Sequence, residues 1–405
     1  MRLKFDKVFF IKFTAALLTS LLIMILSDHN ILWSSFWSFL KIPPNYIPFS
    51  DFKAHSFFLE CYENGINIYK EPCFLIPEGN SKITTHPHIW MHIFSIFNLK
   101  SDFNYNLAIF IILIIYFYLI FSLLKKKNSK KENFFLCILF LSKSNFLLIE
   151  RLATDIIIFI LVYLILIARH SFLKIFLMII GFLLKYYPIF LISIFVKNKK
   201  IFFGLVIFSI IFISLFYLSN IFHINSAIVE MALPIAYGSR TMFKALYHLS
   251  MEYSFIINEN NENFFRYLFI LITFFYSAFF ILLGYFKFKD VISNYEQFFI
   301  AGASIYIGTF IIGANADYRL IFLLLTISTI FKLNNKFIKF LFLFSFFLSF
   351  NSFYFLIGEK LSLIFFVSSS IAFLSKIIIL TLLSLIIGVQ LKSINFLTII
   401  NLRLR

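Results

Sequence analysis

The chain has 405 residues, of which 61% are hydrophobic and 14% charged, with a mean hydropathy of +0.93 and a net charge of +17. A soluble chain is roughly 45–50% apolar and about 25% charged, and the excess apolar surface cannot be hidden in one globular core. Composition therefore excludes a soluble cytosolic enzyme and a disordered chain, and predicts one all-α polytopic membrane domain over 1–405.

Apolar runs punctuated by charge predict twelve spans, at 8–26, 105–124, 134–149, 155–168, 172–185, 186–196, 201–219, 264–285, 296–313, 320–331, 337–357 and 371–391. Three of them, 155–168, 172–185 and 186–196, fall short of the ~20 residues a perpendicular helix needs. Short helices are tolerated where they line a protein cavity, and this zone is predicted to form a cavity wall. Arg2, Lys4 and Lys7 precede the first span, and no small-residue cleavage site follows at Ser27, so the span is expected to remain as an anchor.

Loop charge orients the spans. With the N-terminus inside, the segments expected in the cytoplasm and their flanks hold 21 of the 36 basic residues and only four acids, Asp6, Glu132, Asp290 and Glu296. The asymmetry predicts both termini inside and an even number of spans. It also accounts for the basic excess without a nucleic-acid partner.

Two outer loops stand out by length. The first, 27–104, is rich in Trp, Tyr, Phe and Pro and is expected to fold as amphipathic helices on the outer membrane surface. The second covers 220–263. Cys61 and Cys73 share the first loop and can pair in an oxidising compartment. Cys137 lies in an apolar run, and no thiolate zinc spacing occurs.

Within the first loop, Ser50 is expected to cap a helix ending at Asn64-Gly65, which places Asp51 in its first turn and His55 and Tyr62 on one face. A first-turn acid is favoured by the helix dipole alone; the other reading is a general base with His55 nearby. His86, His88 and His92 follow. They suit a membrane interface, a metal site shared with Asp51, or a phosphate held by His86 or His88.

Three charged clusters interrupt the later apolar runs. Glu150, Arg151 and Asp155 form either an outer turn with an Arg151–Asp155 pair at i,i+4 or a functional group at membrane depth. Pro188 breaks the run after Lys185, a cation amid apolar residues that either snorkels to the interface or binds a phosphate. Arg319 opens a helix, where the dipole disfavours a cation, which points to Asp317 or an anion as its partner. No P-loop, GxGxxG, HExxH or GxSxG stands in a matching context.

The order of these motifs, Ser50-Asp51-Phe52, then Glu150-Arg151-Leu152-Ala153-Thr154-Asp155 opening a span, then Gly181 to Lys185 and Pro188, resembles the GT-C membrane glycosyltransferases. The closest resemblance is to glycosyltransferase family eighty-seven and its polyprenyl-phosphate-mannose-dependent mannosyltransferases, which typically read Glu-Arg-Gly-Asn-x-Asp at the second motif. Asp317-Tyr318-Arg319 is similar to a stretch in related bacterial envelope-polysaccharide membrane proteins. The resemblance runs over roughly 45–320. It implies a GT-C-like bundle that transfers a sugar from a polyprenyl-phosphate donor to a lipid-linked or envelope glycan acceptor, with inversion, on the outer face of the bacterial inner membrane. Asp51 would be the general base, and Lys185, Arg319 and Arg151 would hold the donor phosphate. His55, His86, His88, Glu150, Asp155 and Asp317 would support them, and no metal or cofactor is expected. The competing classes are a lipid-linked sugar transporter or flippase and an envelope polysaccharide polymerase.

Overall fold

The computed structural model describes residues 7–45, 47–71, 73, 87–124, 128–218, 236–239, 241, 262–288, 296–313, 315–351 and 363–394. His86 and most of the second predicted loop, 220–263, lie outside the described residues. The described residues are overwhelmingly helical, and the chain is an all-α, multi-pass membrane protein by helix length and composition. Four described stretches are long and apolar enough to cross a membrane: Lys7–Ser27, Asp102–Leu123, Phe264–Lys287 and Ser370–Ser393. Lys130–Phe140 and Lys143–Arg151 make a fifth if the pair, bent by 49°, is one span. The expected span 201–219 falls on a 20-residue helix, Lys199–Leu218, and the remaining expected spans are shorter pieces. Two of them, 186–196 and 320–331, fold largely as 3-10 helix, at Tyr187–Phe195 and Asp317–Thr326.

The chain divides into two compact units. The first comprises Met1–Leu141, Asn145–Tyr186 and Phe216–Ala227. Its helices are α1 (Lys7–Ser27), α2 (Asn30–Phe39), α3 (Ser50–Glu63), α4 (Ile89–Ile96), α5 (Asp102–Leu123), α6 (Lys130–Phe140), α7 (Lys143–Arg151, from Asn145 onward), α8 (Asp155–Ile167) and α9 (Ser171–Leu184). α1 packs along α5, and Lys12 near the start of α1 donates to the carbonyl of Leu124 at the end of α5 (3.1 Å), so the two run antiparallel. α8 carries a β-branched run that would suit a strand in water. In an apolar medium every backbone polar group must be satisfied within the segment, and helix wins. The run is buried nearly all round, between α5 and α9.

The described residues of 27–104 include three helices, α2, α3 and α4. α3 and α4 pack face to face: Phe52, His55 and Tyr62 on one side meet Phe94, Trp90 and His88 on the other. Cys61 and Cys73 are joined by a disulfide.

The second unit comprises Ser142–Ser144, Tyr187–Leu215 and Ile228–Arg405. It holds most of α10 (Lys199–Leu218), then β1 (Ala236–Tyr237), α11 (Glu262–Lys287), α12 (Gln297–Ile312), β2 (Asn315–Ala316), α13 (Ile327–Phe331), α14 (Lys336–Phe350) and α15 (Leu363–Ser393). β1 and β2 pair antiparallel, Ala236 opposite Ala316 and Tyr237 opposite Asn315. α12 is packed by both 3-10 segments. α11 and α15 cross closely through Gly284 and Gly388: a Cβ on either would overlap a carbonyl of the other helix, Leu385 and Ile281 respectively. Small residues at such a crossing are the usual way apolar helices gain contact where lipid offers no hydrophobic drive.

Candidate functional site

In the first unit three of the residues singled out from sequence, Asp51, Glu150 and Arg151, come together at the start of α3 and the end of α7. Asp51 is half-buried in the first turn of α3. The helix does not begin as the sequence suggests. Ser50 is its first residue rather than its cap; the cap position is Phe49, in the left-handed region at φ 57, and it makes no side-chain cap bond. The reason is tertiary. The Phe49 N–H donates to the Glu150 carbonyl (3.1 Å), which fixes how the chain enters the helix, while the Ser50 hydroxyl accepts from the Asn45 side chain.

Glu150 is the centre of this group. Its side chain has no solvent exposure, its Oε1 accepts from the Asn45 backbone N–H (2.8 Å), and Trp33 and Asp51 lie within reach of its carboxylate. Arg151 stands 3.8 Å from Glu150 and remains about a quarter exposed, with 28% of its side chain accessible.

The expected Arg151–Asp155 pair is not formed. α7 stops at Arg151, and Leu152 turns into the left-handed region at φ 44, where the Leu152 and Ala153 N–H groups close back on the carbonyls of Ile149 and Leu148. This is the capping turn usually made by glycine. It interrupts the helix between Arg151 and Asp155, so four-residue spacing no longer puts them together.

Asp155 pairs instead with Lys185, thirty residues on, and both are buried. Lys185 follows α9 in an extended conformation, because Pro188 cannot continue a helix. The Trp90 indole N–H donates to the Leu184 carbonyl (3.1 Å), which ties α4 to the end of α9. Lys185 is therefore neither a snorkelling side chain nor a lone cation.

The histidines divide. His55 is fully buried and stacked on Trp90, ring centroids 4.8 Å apart, so it belongs to the aromatic core under α3. His88 and His92 face each other near the surface, His88 Nδ1 to His92 Nε2 3.1 Å. Burial, and then His92, hold His88 below the usual histidine range. Tyr69 beside it is pushed up to about 12 by burial and by Tyr62, and stays neutral. Among the described residues no group of three or more His, Cys, Asp or Glu side chains is placed to hold a metal, so the site shared by Asp51 and the histidines is not assembled there.

The second unit holds a separate polar group. Asp317 does not serve as the partner that sequence offered Arg319. It is fully buried against Lys376 of α15 (2.7 Å and 2.9 Å to its two oxygens). Arg319 is half-buried, bonds to the Asn315 side chain, and lies over the Tyr187 ring (5.5 Å). Asn315 in turn donates to the Thr309 carbonyl (2.6 Å), and Tyr306 OH donates to the Lys376 carbonyl (2.8 Å). Sequence reasoning missed Lys376, a cation in the middle of an otherwise apolar span. That position was the available signal, since ionisable groups at such depth are costly unless paired.

Compared with known protein families, curated proteins and solved structures, the chain matches none.

Proposed function

We propose that the chain is a membrane glycosyltransferase that uses a polyprenyl-phosphate-linked sugar. The observation that carries this reading is the grouping in the first unit of a half-buried carboxylate, Asp51, with the buried Glu150 and the part-exposed Arg151. The same unit holds the buried Asp155–Lys185 pair. The motif order resembling family eighty-seven supports it, and the left-handed turn at Leu152 falls where that family has glycine, the residue best suited to that conformation.

In this reading Asp51 accepts the proton of the acceptor hydroxyl as its oxygen attacks the anomeric carbon. The new glycosidic bond forms as the bond from that carbon to the donor phosphate oxygen breaks, which inverts the centre and releases polyprenyl phosphate. Arg151 stabilises the leaving phosphate, because its side chain is part-exposed and its contact with Glu150 is long, at 3.8 Å. Lys185 is already matched to Asp155 and acts on the phosphate only by sharing its charge. Glu150 fixes the entry to α3 and holds Asp51 in place. Arg319, with Asp317 behind it, is a second anion-binding candidate in the other unit. The membrane would be a bacterial inner membrane with this site facing outward; a disulfide in the first loop agrees with an oxidising compartment. A GT-C-like bundle of about twelve spans remains the proposed architecture.

The test is Asp51→Asn in a purified transfer assay from a polyprenyl-phosphate donor. Loss of a general base costs about 10²–10⁴ in rate, whereas loss of a first-turn acid costs about 0.3–1 kcal/mol of stability and leaves turnover nearly intact. Near-normal turnover with unchanged folding would reject the reading. A transporter of lipid-linked sugars is the second reading, favoured by the buried Asp317–Lys376 pair, and it would not need Asp51 as a base.

A further inference from the structure

α4 carries a pair of histidines that the transfer chemistry leaves unused. His88 stands at the cap position but has helical backbone angles, φ −58 and ψ −24, so its four-residue spacing to His92 brings both rings to one face. His88 Nδ1 lies 3.1 Å from His92 Nε2, with the ring planes inclined at 61°. His92 is exposed and His88 partly so. The opposite face of the helix is anchored. Trp90, Met91 and Phe94 are buried, Trp90 stacks on His55, and its indole N–H holds the Leu184 carbonyl. The His88 ring is itself held, with Tyr62 packed edge to face on it at 4.8 Å and the Tyr69 ring at 6.3 Å.

The spacing of the two nitrogens is that of two ligands on one ion. A bond from imidazole nitrogen to a transition metal is about 2.0–2.1 Å long, so two of them on one ion set the nitrogens roughly 2.9 Å apart at a right angle and about 3.3 Å apart at the tetrahedral angle. The observed 3.1 Å falls between these. In the hydrogen-bonded pair one of the two facing nitrogens carries a proton. Moving that proton to the other nitrogen of the same ring, through solvent, leaves two facing lone pairs and no net change in bound protons. A small turn of the exposed His92 ring then aims both lone pairs at one point. Burial and the neighbouring ring hold His88 below the usual histidine range, which keeps it neutral and able to ligate at neutral pH.

The donor set selects the ion. Imidazole suits copper, zinc and nickel, whereas magnesium and calcium take oxygen ligands. Among the described residues no third His, Cys, Asp or Glu side chain joins the pair, so the other positions on the ion are left to water. Asp51 takes no part: it precedes Tyr62 by eleven residues on α3, roughly 16 Å along the helix axis.

We propose that His88 and His92 form an open, two-ligand site for a divalent transition-metal ion, with copper(II) bound more tightly than zinc. The bound ion bridges the first two turns of α4 and stabilises the folded form by mass action. The site does not depend on the sugar-transfer reading.

The experiment uses the full chain in detergent, purified without a polyhistidine tag, stripped with a chelator and given one equivalent of copper(II). Pulsed electron paramagnetic resonance counts the imidazoles on the ion through their remote nitrogens. The expected result is two imidazoles in the wild type, and loss of that two-imidazole signal in both His88→Gln and His92→Gln. Excess zinc is expected to remove the signal and excess magnesium to leave it. A wild-type signal from one imidazole or none overturns the proposal, and so does a two-imidazole signal that survives His92→Gln. Because His92 is exposed, His92→Gln is the variant that keeps the fold. Zinc is expected to raise the melting temperature of the wild type and to leave that of His92→Gln unchanged. An equal shift in both, or none in either, overturns the site.

Discussion

The ammonium of Lys376 lies 2.7 Å and 2.9 Å from the two carboxylate oxygens of Asp317, and neither side chain has any solvent exposure. Such a pair is cheap to keep and expensive to break. Removing one partner strands the other charge in an apolar setting, at about 3–5 kcal/mol. Lys376→Met is expected to lower the yield of folded protein and its melting temperature in detergent. The double variant Asp317→Asn with Lys376→Met is expected to recover most of the loss, because no charge remains unmatched. A double variant as unstable as the single one would mean that the pair is not the source of the effect.

Arg151 and Lys185 are expected to behave differently, because Lys185 is buried against Asp155. Arg151 is part-exposed and its contact with Glu150 is long, so Arg151→Gln should fold normally and weaken donor-lipid binding. A charged hydrogen bond contributes about 1.5–3 kcal/mol, on the order of ten- to hundred-fold in affinity. Lys185→Ala uncouples the buried Asp155 and should first show as instability. Titration of a polyprenyl-phosphate sugar onto each purified variant, with thermal unfolding in parallel, separates the two.

The His88–His92 pair predicts an acid-sensitive loop. Folding holds His88 below its usual range, so near neutral pH and above the ordinary histidine value both folded and unfolded states are neutral and the pair is intact. As pH falls below about 6.5, the unfolded chain takes up the proton first, and stability is lost until the folded-state value is passed. The protection of the α4 amides, that is their exchange rate corrected for the intrinsic pH dependence of exchange, is expected to fall between pH 7.5 and 5.5 in the wild type and to stay constant in His88→Gln. A slope that persists in His88→Gln would assign it to other groups.

Joining Cys61 to Cys73 closes a twelve-residue separation at the end of α3. Removing a disulfide typically costs about 2–4 kcal/mol through the freedom it returns to the unfolded chain. Cys61→Ser is expected to lower the melting temperature, and mild reduction of the wild type should reproduce the same shift. Reduction that also shifts Cys61→Ser would point to another cause.

Membrane residence was readable in the chain because it is a local property. An uninterrupted apolar run of sufficient length decides a span by itself, so Lys7–Ser27, Asp102–Leu123, Phe264–Lys287 and Ser370–Ser393 lie where the composition placed them. The break before Pro188 and the placing of Asp51 in a first helical turn are local in the same sense. Partners of charged groups were not readable. Asn45 meets Glu150 across 105 residues, Asp155 meets Lys185 across 30, and Asp317 meets Lys376 across 59. Spacing suggested Arg151 for Asp155 and Arg319 for Asp317. Tertiary structure overruled both, because a buried charge takes whichever opposite charge packing brings into the same apolar space, and a left-handed turn at Leu152 removed the helical continuity on which the spacing relied.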